Sequence, residues 1–426
     1  MILAMGAGII VARRLGPEIR GYYGLVVFSV SLLISFGQLG IGTSVAYFTG
    51  KGKYPKSQML AFLIMSSFVI GSLLAVTFYF LYPLIGDKWA HISKPVMLIG
   101  LISTPFFFLQ NFVSRFLLSM LKVRQSNIAN LLRTIIYLIL VIILLFWLKG
   151  KLPYAVAAYS LSVMLASIVS VLVFTRDIKP TFKLDPNLLK DAFKYGFKAY
   201  AINIFNFLNF RLDIFLIQHY LSASELSFYQ IAVNISERLW YVPHALGSML
   251  FPTLLAQKEI STKLTERVCR HNLFAMLLLA VPIIIFAKLV IGLFYGKAYL
   301  PTASALYSVI LGIVVYPTYQ FLSVDFAARN RLGIGIFASS VGIVLNLGLN
   351  LLMIPRHGIV GAGISTSISY STMALILVII YAKINKLKYR DLLIIRKEDL
   401  KDYKDLFKKL KGKVSHPPLP RDDDIG

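Results

Sequence analysis
An arginine and an aspartate, Arg211 and Asp213, interrupt the apolar run NIFNFLNFRLDIFLIQHYLSASELSFY that covers residues 203–229. A charged side chain near the middle of a membrane helix costs roughly 2.5–3.5 kcal/mol on insertion scales, so it faces a water-filled cavity or a partner. Asn206, Asn209 and Asp213 fall within about 60° on a helical wheel, and Arg211 points nearly the other way. Two readings stand: these groups line a cavity, or they tie the helix to its neighbours.

Other polar side chains repeat the pattern. Ser103, Thr104, Gln110, Asn111, Ser114 and Arg115 make one stripe, and Asn127, Asn130, Arg133 and Thr134 share a face further on. Asn234, Glu237, Arg238 and Tyr241 form a third set, with Glu237 and Tyr241 one helical turn apart, and Tyr316, Tyr319, Gln320 and Asp325 a fourth. Arginines around one cavity suit an anionic ligand, because a guanidinium binds phosphate oxygens through paired hydrogen bonds. Amides, hydroxyls and aromatic rings suit a sugar. Arg115 and Arg133 have the alternative of snorkelling to the headgroups, and Asp325 that of pairing with Arg329 at i, i+4. Asp213, Glu237 and Asp325 are the carboxylates placed to couple an ion. The six histidines lack metal-ligand spacing, GAGIIVA at 6–12 lacks the dinucleotide fingerprint, and nothing calls for a cofactor or metal.

The elements that must hold these groups are membrane helices. Of 426 residues, 57% are hydrophobic and 15% charged, against about 25% charged in a soluble domain. Apolar runs give twelve segments, within 1–12, 21–49, 58–84, 95–120, 127–148, 152–174, 195–219, 227–254, 271–294, 301–327, 332–354 and 359–382. The fold class is therefore all-α: a polytopic membrane protein. A net charge of +25 does not point to nucleic acid, because the basic residues sit in short loops and the tail. Loops after even-numbered segments hold 16 Lys and Arg and the tail from Lys383 holds 13, against 9 after odd-numbered ones. The positive-inside rule puts both termini in the cytoplasm.

The polar stretch 175–194 divides an N-terminal lobe, 1–174, from a C-terminal lobe, 195–382, leaving a basic tail, 383–426. The lobes align without a gap at an offset of 206, so that Leu15–Tyr23 lies over Leu221–Tyr229, each a turn leading into a helix. At that offset the counterpart of segment 7 begins before Met1, which predicts a short or truncated first helix. In the tail, Leu392, Ile395, Leu400, Tyr403, Phe407 and Leu410 recur at broadly helical spacing among lysines. That pattern fits an amphipathic helix on the anionic inner leaflet or a solvated charged helix, with HPPLPRDDDIG disordered beyond it.

Three stretches together, ARRLGPEIRGYYGLVVFSVSLLISFGQLGIGTSVAYFTGK, NFRLDIFLIQHYLSASELSFYQIAVNISERLWYVPHALGSMLFPTLLAQ and LNLGLNLLMIPRHGIVGAGISTSISY, resemble the polysaccharide transporter branch of the multidrug/oligosaccharidyl-lipid/polysaccharide exporter superfamily. The resemblance extends to about Lys388. It implies two pseudo-symmetric six-helix lobes around a central cavity, working by alternating access in the cytoplasmic membrane. It also implies a lipid-linked oligosaccharide as cargo, commonly undecaprenyl-pyrophosphate-linked, with polymerase or ligase partners downstream in O-antigen, capsule or exopolysaccharide assembly. Asp213 and Tyr229 match an Asp of the seventh helix and a Tyr at the start of the eighth that recur in the family. On that reading Arg211, Arg115 and Arg238 hold the pyrophosphate or acidic sugars, while Asp213 and Glu237 organise the arginines or sense protons. Competing readings are an ion-coupled multidrug exporter of the same superfamily, a membrane glycosyltransferase or polymerase, and a non-transporting scaffold. The excess of arginine over carboxylate in the apolar runs weighs against the first, and short external loops against the second.

Overall fold
The structure is a computed structural model that describes residues 2–183, 185–255, 262–396 and 399; the side chains of 2, 88, 197–199, 201–209, 248 and 252 are not among those described. Asn206, Asn209 and the tail positions 400–426 therefore lie outside the described residues.

Every expected segment falls on helix. In chain order these are α1 (Ile2–Gly37), α2 (Ile41–Lys51), α3 (Lys56–Ile85), α4 (Asp87–Ala90), α5 (Lys94–Leu101), α6 (Ser103–Ser119), α7 (Val123–Val141), α8 (Leu152–Phe174), α9 (Pro186–Tyr220), α10 (Ala223–Ser236), α11 (Tyr241–Leu255), α12 (Thr262–Phe294), α13 (Thr302–Ala328), α14 (Leu332–Asn385) and α15 (Arg390–Leu393). Eight helical stretches among the described residues are long and apolar enough to cross a membrane. Two of these hold a pair of expected segments each, because α1 breaks at Gly16 and α14 at Gly358. Both glycines take positive φ, 72° and 57°, which a side chain would strain. Expected segments 7 and 8 lie on α9 and on α10–α11. The side chains of α9 are not described over 197–199 and 201–209, and a 3₁₀ turn over Glu237–Trp240 cuts segment 8 into short pieces.

Turn chemistry explains the breaks. Pro17 follows Gly16 and opens the second limb of α1 at the position where proline has no hydrogen bond to lose. At the matching place in the repeat, α9 stops at Tyr220 and α10 starts at Ala223, with the Ser222 backbone N–H donating to Glu225 Oε2 (3.0 Å) and the Glu225 N–H to Ser222 Oγ (3.2 Å). This is a capping box. The offset of 206 thus superposes two real chain breaks.

The chain forms two compact units, residues 1–235 with 286–309 and 343–366, and residues 236–285 with 310–342 and 367–426. The core of the first gathers Val30, Ile41, Phe48, Phe62, Phe112 and Leu188 from α1, α2, α3, α6 and α9. Lipid offers apolar side chains as good a home as the core does, so packing depends on close approach. A Cβ on Gly21 would stand 1.9 Å from the Ala223 carbonyl oxygen, so α1 and α10 meet backbone to backbone. The Arg13 Nε donates to Phe294 O at 2.6 Å, a cation at the C-terminal end of α12, and the Tyr299 hydroxyl donates to Ala12 O at 2.8 Å. Beyond the membrane run of α9, Asp191 accepts from Lys53 Nζ (2.5 Å) and the Tyr54 hydroxyl (2.8 Å), and the Lys53 contact holds its carboxyl below the usual range.

In the second unit, Asp325 is fully buried and saturated. Its oxygens accept from Thr265 Oγ1 (2.5 Å), Arg329 Nε (2.5 Å) and the Tyr381 hydroxyl (3.2 Å), which joins α12, α13 and α14. The Asp325–Arg329 pair is the i, i+4 contact that the spacing allows. Trp240, Tyr316 and Tyr370 pack ring to ring nearby, with Trp240 Nε1 donating to Ile313 O at 2.8 Å.

Candidate functional site
In the first unit, one face of α7 projects Ser126, Asn130, Arg133 and Tyr137 at spacings of four, three and four residues. Each finds a polar or aromatic neighbour. The Ser126 and Ser114 hydroxyls meet at 2.6 Å, and Asn130 Nδ2 donates to Ser114 Oγ at 3.3 Å. The guanidinium of Arg133 lies 5.1 Å from the centre of the Phe107 ring, worth about 0.5–2 kcal/mol. Phe107 packs on Tyr159 at 5.6 Å, and Tyr159 packs edge-on against Tyr23 and Tyr137 at 6.5 and 6.4 Å. The Tyr23 and Tyr137 hydroxyls are 2.7 Å apart.

Arg20 closes this wall. Its Nη1 donates to Gln230 Oε1 at 2.7 Å and to Ser227 O at 3.4 Å, while Tyr23, Tyr137, Tyr295 and Tyr299 stand within electrostatic reach. No carboxylate pairs with Arg20, Arg133 or Arg115 among the described residues, and Nε and Nη2 of Arg20 carry no protein acceptor there. The acceptors of this half-buried guanidinium are both neutral, so its charge is offset only in part by hydrogen bonds. The sequence reading missed Arg20 by counting it with Arg13 and Arg14 as a loop charge. The signal was present: Pro17 starts a helix, so Arg20 falls at i−3 from Tyr23 on the same face.

Among the expected residues, Arg133 reaches this wall, Asn111 Nδ2 turns back to Phe107 O of its own helix at 3.0 Å, and Asn234 adjoins the wall through Nδ2 donating to Gln230 O at 2.6 Å. Gln110 does not: it is buried against α8, accepting from Ser170 Oγ at 3.2 Å. Ser103 and Thr104 are fully buried as well, so the stripe of α6 divides between a buried side and a more exposed one. Arg115 is exposed, with Nη1 3.5 Å from Thr43 Oγ1. In the second unit Arg238 Nη1 donates to the Tyr241 hydroxyl at 2.8 Å. Arg238, and not Glu237, takes that role because the 3₁₀ winding puts neighbours at i, i+3. Gln320 is half-buried on α13, beside Tyr316.

Asp213 and Tyr229 form a distinct pair. Both are buried; the Tyr229 hydroxyl donates to Asp213 Oδ2 and lies 3.4 Å from Thr366 Oγ1, and Ile214 N–H donates to Asp213 Oδ1 at 2.8 Å. Arg211 Nη1 donates to Phe210 O at 3.1 Å, so it turns back on its own helix at that atom. Tyr229→Phe removes one of the donors to a buried carboxylate, at a cost of roughly 1–3 kcal/mol. Thermal unfolding in detergent should show that loss, and in the Asp213→Asn background the same change should cost markedly less. Equal costs in both backgrounds would show that the two groups are not coupled.

Wholly helical spans with arginines and amides turned inward define a class, the polytopic membrane proteins built like transporters. The fold is that of the lipid II flippase MurJ in its inward closed conformation, with a TM-score of 0.76 at 17% identity over 92% of this chain and 87% of that one. It is equally that of an inward-facing multidrug resistance MATE family transporter of the MOP superfamily, at 0.74 and 16% identity over 90% and 94%. The chain belongs to the family described as polysaccharide biosynthesis protein, whose profile matches residues 10–304, and so to the polysaccharide branch of that superfamily. A protein of Haloferax volcanii named as a low-salt glycan biosynthesis flippase is 22% identical over 44% of this chain and 43% of its own length. A protein of Shigella flexneri named as an O-antigen transporter is 25% identical over 51% and 54%. The chain thus spans about half the length of the curated relatives it matches.

Proposed function
We propose that this protein is a flippase that carries a lipid-linked oligosaccharide, of the polyprenyl-pyrophosphate type, from the inner to the outer leaflet of the cytoplasmic membrane by alternating access. The observation that carries the reading is Arg20, a half-buried guanidinium with no acid partner among the described residues, at the end of a wall of tyrosines and amides. A pyrophosphate and several sugars cannot cross hydrocarbon unaided, and a polar wall with arginines offers the head a path while the prenyl chain stays in lipid. Arg20 and Arg133 hold phosphate oxygens, the rings of Phe107, Tyr159 and Tyr137 take the apolar faces of sugars, and Asn111, Asn130 and Asn234 supply amide contacts. Arg115, Arg211, Arg238 and Gln320 are further contacts along the path, and Asp213 with Tyr229 is the place where a coupling ion or proton would be read. No step requires covalent chemistry, so the protein acts as a carrier and not an enzyme.

The lobes of this carrier are residues 1–174 and 195–382, joined by the cytoplasmic stretch 175–194, with both termini in the cytoplasm as the distribution of basic residues requires. Products go to a polymerase or ligase that builds surface polysaccharide. A second reading, an ion-coupled multidrug exporter, draws on the MATE-like fold, but a cationic drug would want carboxylates where this wall has arginines. In cells lacking the protein, intact polyprenyl-linked glycans should accumulate on the cytoplasmic face and return to the outer face when the gene is restored. Units that reach the outer leaflet without it, in cells with no redundant transporter, would leave the exporter as the better reading.

A further inference from the structure
A cavity of about 450 Å³ lies between α3 and the α5–α6 pair, walled by carbon. Its rings are Phe68, Tyr79, Phe80 and Phe106, its floor includes Ala75 and Pro105, and Ser72 is the polar exception besides the Tyr79 hydroxyl. From Phe68 to Phe80 it runs along twelve residues of α3, roughly 18 Å. The opposite wall is carried by α5 and α6, which run on through Ile102, itself in helical conformation. It occupies the half of α3 away from Lys56, the outer half of the bilayer in the orientation set by the basic loops. One turn of α6 serves both surfaces: Phe106 enters the groove, where it meets Phe68 at 5.3 Å, and Phe107 enters the polar wall beneath Arg133.

We propose that this groove takes the polyisoprenoid chain of the lipid whose head the wall receives. The inference rests on the flippase reading for the identity of the head. Two features choose an isoprenoid over an ordinary acyl chain. The lining is aromatic, and planar trisubstituted double bonds with regular methyl branches make closer contact with fixed rings than a freely rotating methylene chain does. The groove also adjoins the polar wall through consecutive residues, so head and tail of one molecule can be engaged from the same helix.

Purified protein in phosphatidylglycerol nanodiscs tests this with two photoprobes at equal mole fraction, a long-chain polyprenol bearing a diazirine in its chain and a phosphatidylglycerol bearing one in an acyl chain. The polyprenol has no phosphate, so the result does not depend on the arginines. Labelling of α3 and α5–α6 peptides should favour the polyprenol by about fourfold, the worth of roughly one more buried methylene. Ala75→Trp, which fills the floor, and Phe80→Ala, which removes an exposed rim ring, should each bring the polyprenol down to the acyl level without changing labelling elsewhere. Phe80→Ala leaves the packed core intact and so decides the matter if Ala75→Trp fails to fold. Equal labelling by the two probes, or labelling unaffected by Phe80→Ala, would overturn the groove whatever the leaflet assay shows. Failure of the leaflet assay alone would remove the flippase reading and leave an isoprenoid site standing.

Discussion

Arg20→Ala should abolish glycan transport while the protein reaches the membrane in normal amount. The guanidinium makes two of its contacts through Nη1, to Gln230 Oε1 and Ser227 O, and both acceptors are neutral. Removing it leaves no buried charge behind, so stability should fall by only about 1 kcal/mol, the worth of a modest hydrogen bond. Loss of a paired contact to a phosphate costs more, about 1.5–3 kcal/mol in binding or 10- to 100-fold. Arg20→Lys keeps the charge and loses the planar fork, and should restore transport in part. Gln230→Ala is the control for orientation: it frees the guanidinium without removing it, and should raise the amount of substrate needed more than it lowers the maximal rate. Full transport by Arg20→Ala would move the anion site elsewhere, with Arg133 the next to test. An Arg20→Ala protein that fails to reach the membrane would instead make Arg20 a packing residue.

What could be read from the sequence follows the strength of the local signals. Long apolar runs located the helices, α8 to Leu152–Phe174 itself, because hydrocarbon demands continuous helix, but α9 and α12 start nine residues before the apolar runs, at Pro186 and Thr262, in polar stretches where hydropathy carries no signal. The repeat offset located the paired breaks at Gly16 and Ser222, since glycine–proline and serine–x–x–glutamate each have a backbone meaning. Side-chain roles were less legible. Wheel angles cannot tell which side of a polar stripe faces a neighbouring helix, so Gln110 and Asn111 read alike although Gln110 packs on Ser170. The wheel also assumes one winding throughout, and the 3₁₀ turn at Glu237–Trp240 changed the partner of Tyr241. The tyrosines were hardest to see, because Tyr23, Tyr137 and Tyr159 come from three distant helices and meet only in the fold.

The start of the tail is neither free in solution nor laid on lipid alone, and the second large effect is expected there. Leu392 is fully buried, and Arg270 of α12 grips Asp399 through Nε (2.8 Å) and Nη2 (3.0 Å) while its Nη1 donates to Asp391 O at 2.6 Å. Arg396 completes the clasp, its backbone N–H donating to Asp399 Oδ2 at 2.9 Å and its Nη2 to Asp391 Oδ1 at 2.7 Å. Arg270 and Asp399 are about 94–95% buried, so a single deletion leaves a buried charge on a long contact, Glu266 Oε2 at 3.9 Å from Arg270 or His271 Nε2 at 3.7 Å from Asp399. Arg270→Ala or Asp399→Ala should therefore destabilise the protein by roughly 3–5 kcal/mol, read as an earlier melting transition in detergent. Replacing both with leucine should cost less than either single change but not nothing, since buried Glu266, 3.9 Å from Arg270 Nη1, then loses that partner. The hydrogen bond from Arg270 holds the Asp399 carboxyl down to about 2. A depressed carboxyl adds stability above its ordinary value near 3.9 and loses it as pH falls through the folded value, so the clasp should hold at neutral pH and give way between about pH 4 and 2. If Arg270→Ala and the double leucine variant melt alike, the charges matter little and the buried Leu392 holds the tail by packing.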